Sequence, residues 1–341
     1  MVDRPTIADL AQKAGVSVAT VDRVLNRRLP VREDTVLRVV QAAEAIGYHA
    51  TGLLKRRMTE SPHRRIAFLL QKPDAFYTLF GKELVAATKS ASEIEGKPTL
   101  EFMEELVPAL IADRIRKAAA KTDALAVVAM DHPQVNEAVN EVTASGKPVF
   151  SLLSQITTPN VTGHLGLDAR RNGRIAGWTI RHHAHKPGKI GILVGSHRYL
   201  NQELSEISFR TYMREHAPEF QLLEPIINLD DERIAYEAIT GMVKANPDLV
   251  GIYVSGGGQE GLIRALRERH GGPKLIAICN ELTVAIRAAL HDGVVDLALG
   301  TPIAAISKRV VELMAKATNG SSIPHLPPIL LPPEIYMSEN I

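Results

Sequence analysis

A single cysteine, Cys279, denies the chain the pair that an intrachain disulfide needs, and no CxxC or Cys/His spacing frames a zinc site. Nothing therefore calls for an oxidising compartment. Nowhere do about 18 apolar residues run uninterrupted, which excludes a membrane-spanning helix; the best runs, ALAVVAM at 124–130 and IGILVG at 190–195, have strand length. The start, MVDRPTIADLAQKAGV, carries acids and a helical pattern where an export signal needs a basic start and a continuous apolar stretch. These absences point to a cytoplasmic protein with no membrane partner.

What is present is ordinary globular material: 341 residues, 45% hydrophobic and 23% charged, enough to bury cores in two or three domains. The net charge of +2 hides an asymmetry. Residues 1–65 hold 12 Lys/Arg against 7 Asp/Glu, whereas the remainder holds 28 against 31. A small basic head on a mildly acidic body suits either a polyanion partner for the head or a solvated basic face.

The periodicity changes near residue 60. Before it, Ile7, Leu10, Ala11 and Ala14, then Val18, Val21, Val24 and Leu25, then Val36, Val39, Val40, Ala43 and Ile46 recur at helical spacing, predicting three helices. Residues 51–65 read as a basic, polar connector. From Ile66 onward, strand-like runs at 66–71, 99–103, 125–130, 148–153, 161–167, 189–194, 222–227, 249–255, 275–279 and 295–299 alternate with helical segments. Such alternation predicts parallel sheets covered by helices on both faces. Ten strands exceed one typical sheet, so two doubly wound α/β lobes follow, with a cleft at the strands' carboxyl ends as the natural ligand site. The expected division is 1–50 for an all-α head, 51–64 for a hinge or linker, and 65–341 for a two-lobed body.

Within the head, TIADLAQKAGVSVATVDRVLN at 6–26 has the layout of a helix-turn-helix: one helix, a tight turn at Gly15, and a second helix opened by Ser17. Val16, Val21 and Val24 supply an inward face. Val18, Ala19, Asp22 and Arg23 are left outward, where Arg23 can pair with guanine and Val18 and Ala19 can touch thymine methyls in a major groove. A three-helix protein-interaction module is the competing reading.

This segment, followed by TVLRVVQAAEAIGY, resembles the lactose-repressor (LacI/GalR) family of bacterial transcription regulators, and the body is similar to the periplasmic sugar-binding proteins. The resemblance implies a homodimeric, sequence-specific DNA-binding regulator, in the repressor mode, governed by a small-molecule effector held between the lobes. It puts Val18, Ala19 and Arg23 on base-reading positions, and Thr6, Ser17, Thr20 and Asn26 among the remaining DNA contacts. It also implies that 51–57 is a hinge helix with a minor-groove wedge, for which Leu53, Leu54, Lys55 and Arg57 are the candidates, a solvated basic linker being the alternative. The acid Asp22 departs from the family, as does Ser205, which stands where an effector-binding Arg is common. The Pro-rich tail PHLPPILLPPEIYMSENI cannot form the leucine-heptad helix of tetrameric members.

For the effector site, Asp74, Phe76 and Tyr77 follow the first strand of the body, Asp131 and His132 follow 125–130, and Asn280 and Glu281 follow 275–279. Acids and amides there suit a small, neutral or weakly cationic sugar or polyol; helix capping is an equal use for the same residues, and core packing for Phe76. Asn280 stands where the family usually has Asp, so an amino-bearing or non-sugar effector is also open. No catalytic residue, cofactor or metal is assigned. SGGGQEG at 255–261 lacks the GK[ST] of a P-loop, and its glycines suit a tight turn or a close ligand approach. His182, His183 and His185 close a helix, where cations meet the negative dipole end. A soluble sugar receptor without DNA binding fits the body but leaves the head unexplained.

Overall fold

The computed structural model describes residues 5–26, 31–49, 51, 61–319 and 326–341. The chain forms two compact units, 1–62 and 63–341. The hinge candidates Leu53, Leu54, Lys55 and Arg57 lie outside the described residues.

In the first unit, α1 (Ile7–Ala14), α2 (Val18–Asn26) and α3 (Glu33–Ala45) enclose a small core. Thr6 opens α1 through a capping box in which its amide and hydroxyl reach Asp9 Oδ2 at 2.7 and 2.6 Å. Gly15 ends the helix at φ +64°, a left-handed conformation that glycine adopts without penalty, and the Val16 amide closes on the Ala11 carbonyl at 3.0 Å. Leu10, Val21, Val39 and Ala43 are wholly buried, and each Leu or Val contributes about 1.5–3 kcal/mol by leaving water. Ile7, inward by spacing, is instead 37% exposed.

The second unit is two lobes of repeated design. In lobe 1, β1 (His63–Gln71), β2 (Glu95–Met103), β3 (Ala124–Val127), β4 (Val149–Leu152), β5 (Gly163–Leu167) and β12 (Ile329–Leu331) form a parallel sheet ordered β2-β1-β3-β4-β5-β12. Lobe 2 repeats that order with β6 (Lys189–Val194), β7 (Gln221–Leu222), β8 (Ile226–Ile227), β9 (Leu249–Val254), β10 (Ile276–Asn280) and β11 (Leu297–Gly300), edged by antiparallel β13 (Glu334–Tyr336). The helices are α4 (Ala75–Ser90), α5 (Pro108–Lys121), α6 (Pro133–Ala144), α7 (Ala169–His183), α8 (Leu200–His216), α9 (Glu232–Ala245), α10 (Gln259–Arg267), α11 (Val284–His291) and α12 (Ile303–Thr318). Each sheet carries a core on both faces, Phe68 and Phe150 facing one side of lobe 1 and Leu69 and Val127 the other.

Three crossovers join the lobes: Leu167 to Ala169, Gly300 to Ile303, and Leu331 to Glu334. Two of them are tied together, since the Asp168 amide of the first donates to the Leu331 carbonyl of the third at 2.7 Å. After β11 the chain returns to lobe 1, where Ile306, Val310 and Met314 of α12 pack beneath the sheet.

Two expectations need correction. The single strand at 222–227 is two short ones, because Pro225 has no amide to donate; β7 and β8 pair with opposite ends of β6. The Pro-rich tail, whose described residues form no helix beyond a short 3-10 turn, supplies β12 to one sheet and β13 to the other, with Pro332 and Pro333 at the crossing.

Candidate functional site

On α2, Val21, Val24 and Leu25 turn inward, leaving Val18 (51% exposed), Ala19 and Arg23 on the open face. This is the division the spacing predicts. Ser17 starts the helix by accepting from the Thr20 amide at 3.1 Å, and the two hydroxyls lie 2.9 Å apart. Asn26 donates to Asp22 Oδ1 at 2.6 Å, so the acid that stood out in the sequence is engaged along its own helix. Thr6 likewise spends its hydroxyl in the capping box of α1.

In the body, a cavity of about 440 Å³ lies between the lobes where the strands' carboxyl ends converge. Lobe 1 gives it Gln71 and Lys72 after β1, Asp74, Phe76 and Tyr77 at the head of α4, and Leu153 and Ser154 after β4. Asp74 Oδ1 accepts from the Tyr77 amide at 2.7 Å, so it caps α4 at the edge of the cleft. The residue is exposed, yet protein crowded around its carboxyl and the Asp230 charge raise its pKa above the ordinary value. Phe76 stands edge-on to Tyr77, with ring centroids 5.1 Å apart, and both lean on the lobe 1 core.

Lobe 2 supplies the more elaborate wall. Following β8, Leu229 and Asp230 take left-handed φ angles of 54° and 56°, which swings the Asp230 carboxylate back over the end of β9. There Gly257 N–H donates to Asp230 Oδ1 at 2.5 Å, and Gln202 Nε2 faces both oxygens at 3.4 Å. A Cβ on Gly195 would fall 1.8 Å from Asp230 Oδ1, and one on Gly256 would fall 2.7 Å from it. The glycines after β9 therefore make room for the Asp230 carboxylate of the protein itself. Tyr199, on the loop before α8, lines the same cleft while burying its ring in the lobe 1 core, so it spans the two lobes.

Asn280, at the end of β10, donates through Nδ2 to the Ser255 carbonyl at 2.7 Å, while its buried Oδ1 has no partner. Glu281 follows at φ 65° and turns both oxygens onto Thr301, accepting from its amide at 2.9 Å and its hydroxyl at 2.6 Å. Burial, reinforced by the nearby Asp74 and Glu334 charges, pushes the Glu281 carboxyl up to about 7 despite the Thr301 bonds. It lines the cleft but also braces a crossover.

Asp131 and His132 are not among the described cleft-lining residues. Asp131 accepts from the Thr157 amide and hydroxyl at 3.0 and 2.7 Å and from Asn136 at 3.1 Å, fastening the loop after β4. His132 Nδ1 accepts from the Gln134 amide at 3.3 Å, which is a helix cap. Ser205 is buried and donates to the Ala169 carbonyl at 3.1 Å, so its position serves the α7–α8 packing rather than the cleft. Sequence reasoning missed Tyr199, Gln202 and Asp230. The one available signal was the pair Asp230-Asp231 after a strand: Asp231 caps α9 by accepting from Ile234, which leaves its neighbour for other work.

His182 and His183 direct Nδ1 to the Trp178 and Thr179 carbonyls at 2.8 and 2.9 Å, as helix-closing side chains do. No group of three or more His, Cys, Asp or Glu among the described residues could hold a metal ion, and no described helix is long and apolar enough to cross a membrane.

The described residues thus combine a helix-turn-helix head with a body of two sheet-based lobes around a polar cleft. Residues 108–322 match the periplasmic binding protein domain, and residues 6–51 match the bacterial regulatory proteins of the lacI family. The chain belongs to the periplasmic binding protein domain family and carries a lacI-family head. It is 27% identical over 197 residues to the HTH-type transcriptional regulator GalS of Salmonella typhimurium, covering 57% of this chain and 54% of that protein. Against the HTH-type transcriptional regulator GanR of Bacillus subtilis it is 28% identical over 223 residues, covering 62% and 61%. The chain thus spans about half to three fifths of the length of these relatives. Among solved structures it superposes on a solute binding protein from Burkholderia graminis in complex with D-arabinose, with a TM-score of 0.75 and 15% identity over 82% of this chain and 97% of that one. GanP, a glucose-galactose binding protein from Geobacillus stearothermophilus, gives a TM-score of 0.74 and 18% identity over 82% and 99%. At identities this low the superpositions show a shared fold alone.

Proposed function

We propose that the protein is a sequence-specific DNA-binding transcriptional regulator, acting as a repressor, whose operator affinity is set by a small sugar or polyol-like effector in the interlobe cleft. The observation that carries this reading is the open face of α2, where Val18, Ala19 and Arg23 project from a helix anchored by Val21, Val24 and Leu25. Such a face reads base edges, while Ser17, Thr20 and Asn26 serve the phosphate backbone. The regulators GalS and GanR, similar to this chain over more than half its length, support the same reading.

The effector side rests on a cleft of carboxylates and amides with aromatic walls, which matches adjacent hydroxyls and the C–H face of a sugar ring. Asp74, Phe76, Tyr77 and Asn280 keep their assigned roles, Asp230 and Gln202 join them, and Glu281 works mainly through Thr301. Ligand that prefers one lobe angle shifts the equilibrium between DNA-competent and DNA-incompetent forms. The protein works in the cytoplasm as a homodimer reading paired half-sites. Leu79 on α4 and Val284 on α11, 46% and 87% exposed beside a groove flanking the crossovers, offer apolar surface for the second copy. Selection of binding sites from random DNA with the full chain tests the proposal: a paired half-site motif is expected, and absence of any enriched sequence overturns it.

A further inference from the structure

Several hydrogen-bond donors of the lobe 2 wall are spent within it. Gly257 N–H is spent on Asp230. The Gln259 amide donates to the Gly256 and Asn280 carbonyls at 3.1 and 3.0 Å, and Ser255 Oγ donates to the Leu193 carbonyl at 3.3 Å. Thr301 gives both its donors to Glu281. These donors are committed within the protein, whereas the buried Tyr199 hydroxyl on the same cleft has no partner.

The buried acceptor is Asn280 Oδ1. Its side chain is only 9% exposed, its amide orientation is fixed because Nδ2 faces a carbonyl, and Oδ1 has no partner. A buried acceptor left bare is costly, so a ligand donor is its natural complement. Around it stand the carboxylates of Asp74, Asp230, Glu232, Glu260 and Glu281, against which Lys72 is the one basic residue among the described lining. Asp74 comes from lobe 1 and Asp230 from lobe 2, so closing the lobes brings like charges together. Burial raises the pKa values of Asp74 and Glu281, and the neighbouring carboxylate charges add to the effect.

A neutral polyol satisfies the acceptors but leaves the charges facing one another. We infer that the effector is an amine-bearing polyol, such as an amino or imino sugar, whose ammonium sits between the carboxylates of Asp74 and Asp230 while Phe76, Tyr77 and Tyr199 cover its apolar face. Ammonium–carboxylate bonds are stronger than neutral ones, and aromatic faces attract cations. This inference rests on the cleft being the effector site and adds the charge of the ligand.

Titration calorimetry of the full-length protein tests it with D-glucosamine, D-galactosamine and 1-deoxynojirimycin against D-glucose, D-galactose and D-glucose 6-phosphate. At least one aminated member should bind ten times or more tightly than its neutral counterpart, and Asp230→Asn should erase that preference while leaving the melting temperature near wild type. Neutral members that bind as well as the aminated ones overturn this inference and leave the sugar-or-polyol reading standing. Failure of every aminated member at millimolar concentration also overturns it. Binding of the phosphate in their place overturns both.

Discussion

The two walls of the cleft are built from the same sheet order but do different work. Lobe 1 presents Phe76 and Tyr77 on the first turn of α4, its cap residue Asp74, and Leu153 on the turn after β4. Lobe 2 presents Asp230, Gln202, Asn280 and Glu281, each held by partners from other strands, with Gly195 and Gly256 making the space. A repeated fold thus divides its labour: one wall supplies shape and stacking, the other polar recognition at fixed positions. Because the polar wall depends on several interlocking pieces, small changes there should cost more than large ones opposite.

The severest test is Gly195→Ala. Its new Cβ would overlap Asp230 Oδ1, forcing the carboxylate away, so effector affinity should fall about 100-fold, with about 1–3 kcal/mol of overpacking cost. Calorimetry together with denaturant unfolding separates the two effects. Affinity within threefold of wild type would break the proposed division.

The lobes should also answer pH in opposite senses. Burial depresses His164 of β5, which sits 2.9 Å from Ser151 Oγ, to about 4, so lobe 1 loses stability as pH falls from 6.5 toward that value. Glu281 of lobe 2 is raised to about 7, so its contribution is fully present below the ordinary value of 4.5 and is lost as pH rises to 7. Glu281→Gln should therefore make stability rise more steeply between pH 5 and 7, by about 3 kcal/mol at most. His164→Asn should tilt the slope the other way. Urea unfolding across that range reads both, and unchanged slopes would remove the contrast.

In the head, Arg23→Ala should cost about 1–3 kcal/mol on a selected operator and relax one base pair, with little change on random DNA. Equal loss on both would make Arg23 a phosphate contact. The mildest change is Phe76→Ala, for which a loss of up to about tenfold in effector affinity follows from stacking alone. A larger loss than that of Asp230→Ala would reverse the ranking of the walls.

Legibility followed the range of the interactions. The head was open to reading because Thr6, Gly15 and Ser17 act on residues within five positions of themselves, and so was the strand and helix alternation, which is periodic. Asp74, Phe76, Tyr77 and Asn280 were found because a strand end is a local cue. Asp131 followed the same cue and misled, since its partner Thr157 lies 26 residues away. Asp230 was hidden for a similar reason: nothing near it in sequence shows that Gly257 donates to it from 27 residues on. The tail strands were lost because Ile329–Leu331 and Glu334–Tyr336 are defined by partners at Leu165–Leu167 and Ala298–Gly300, and prolines surround both.

The central claim, that the cleft governs the reading head, is tested most directly by DNA affinity with and without ligand. Fluorescence anisotropy on a selected operator, with saturating amounts of a ligand that calorimetry shows to bind, should show affinity falling at least tenfold in the wild type and not in Asp230→Asn at the same ligand concentration. Identical operator affinity with and without bound ligand in the wild type would contradict the account.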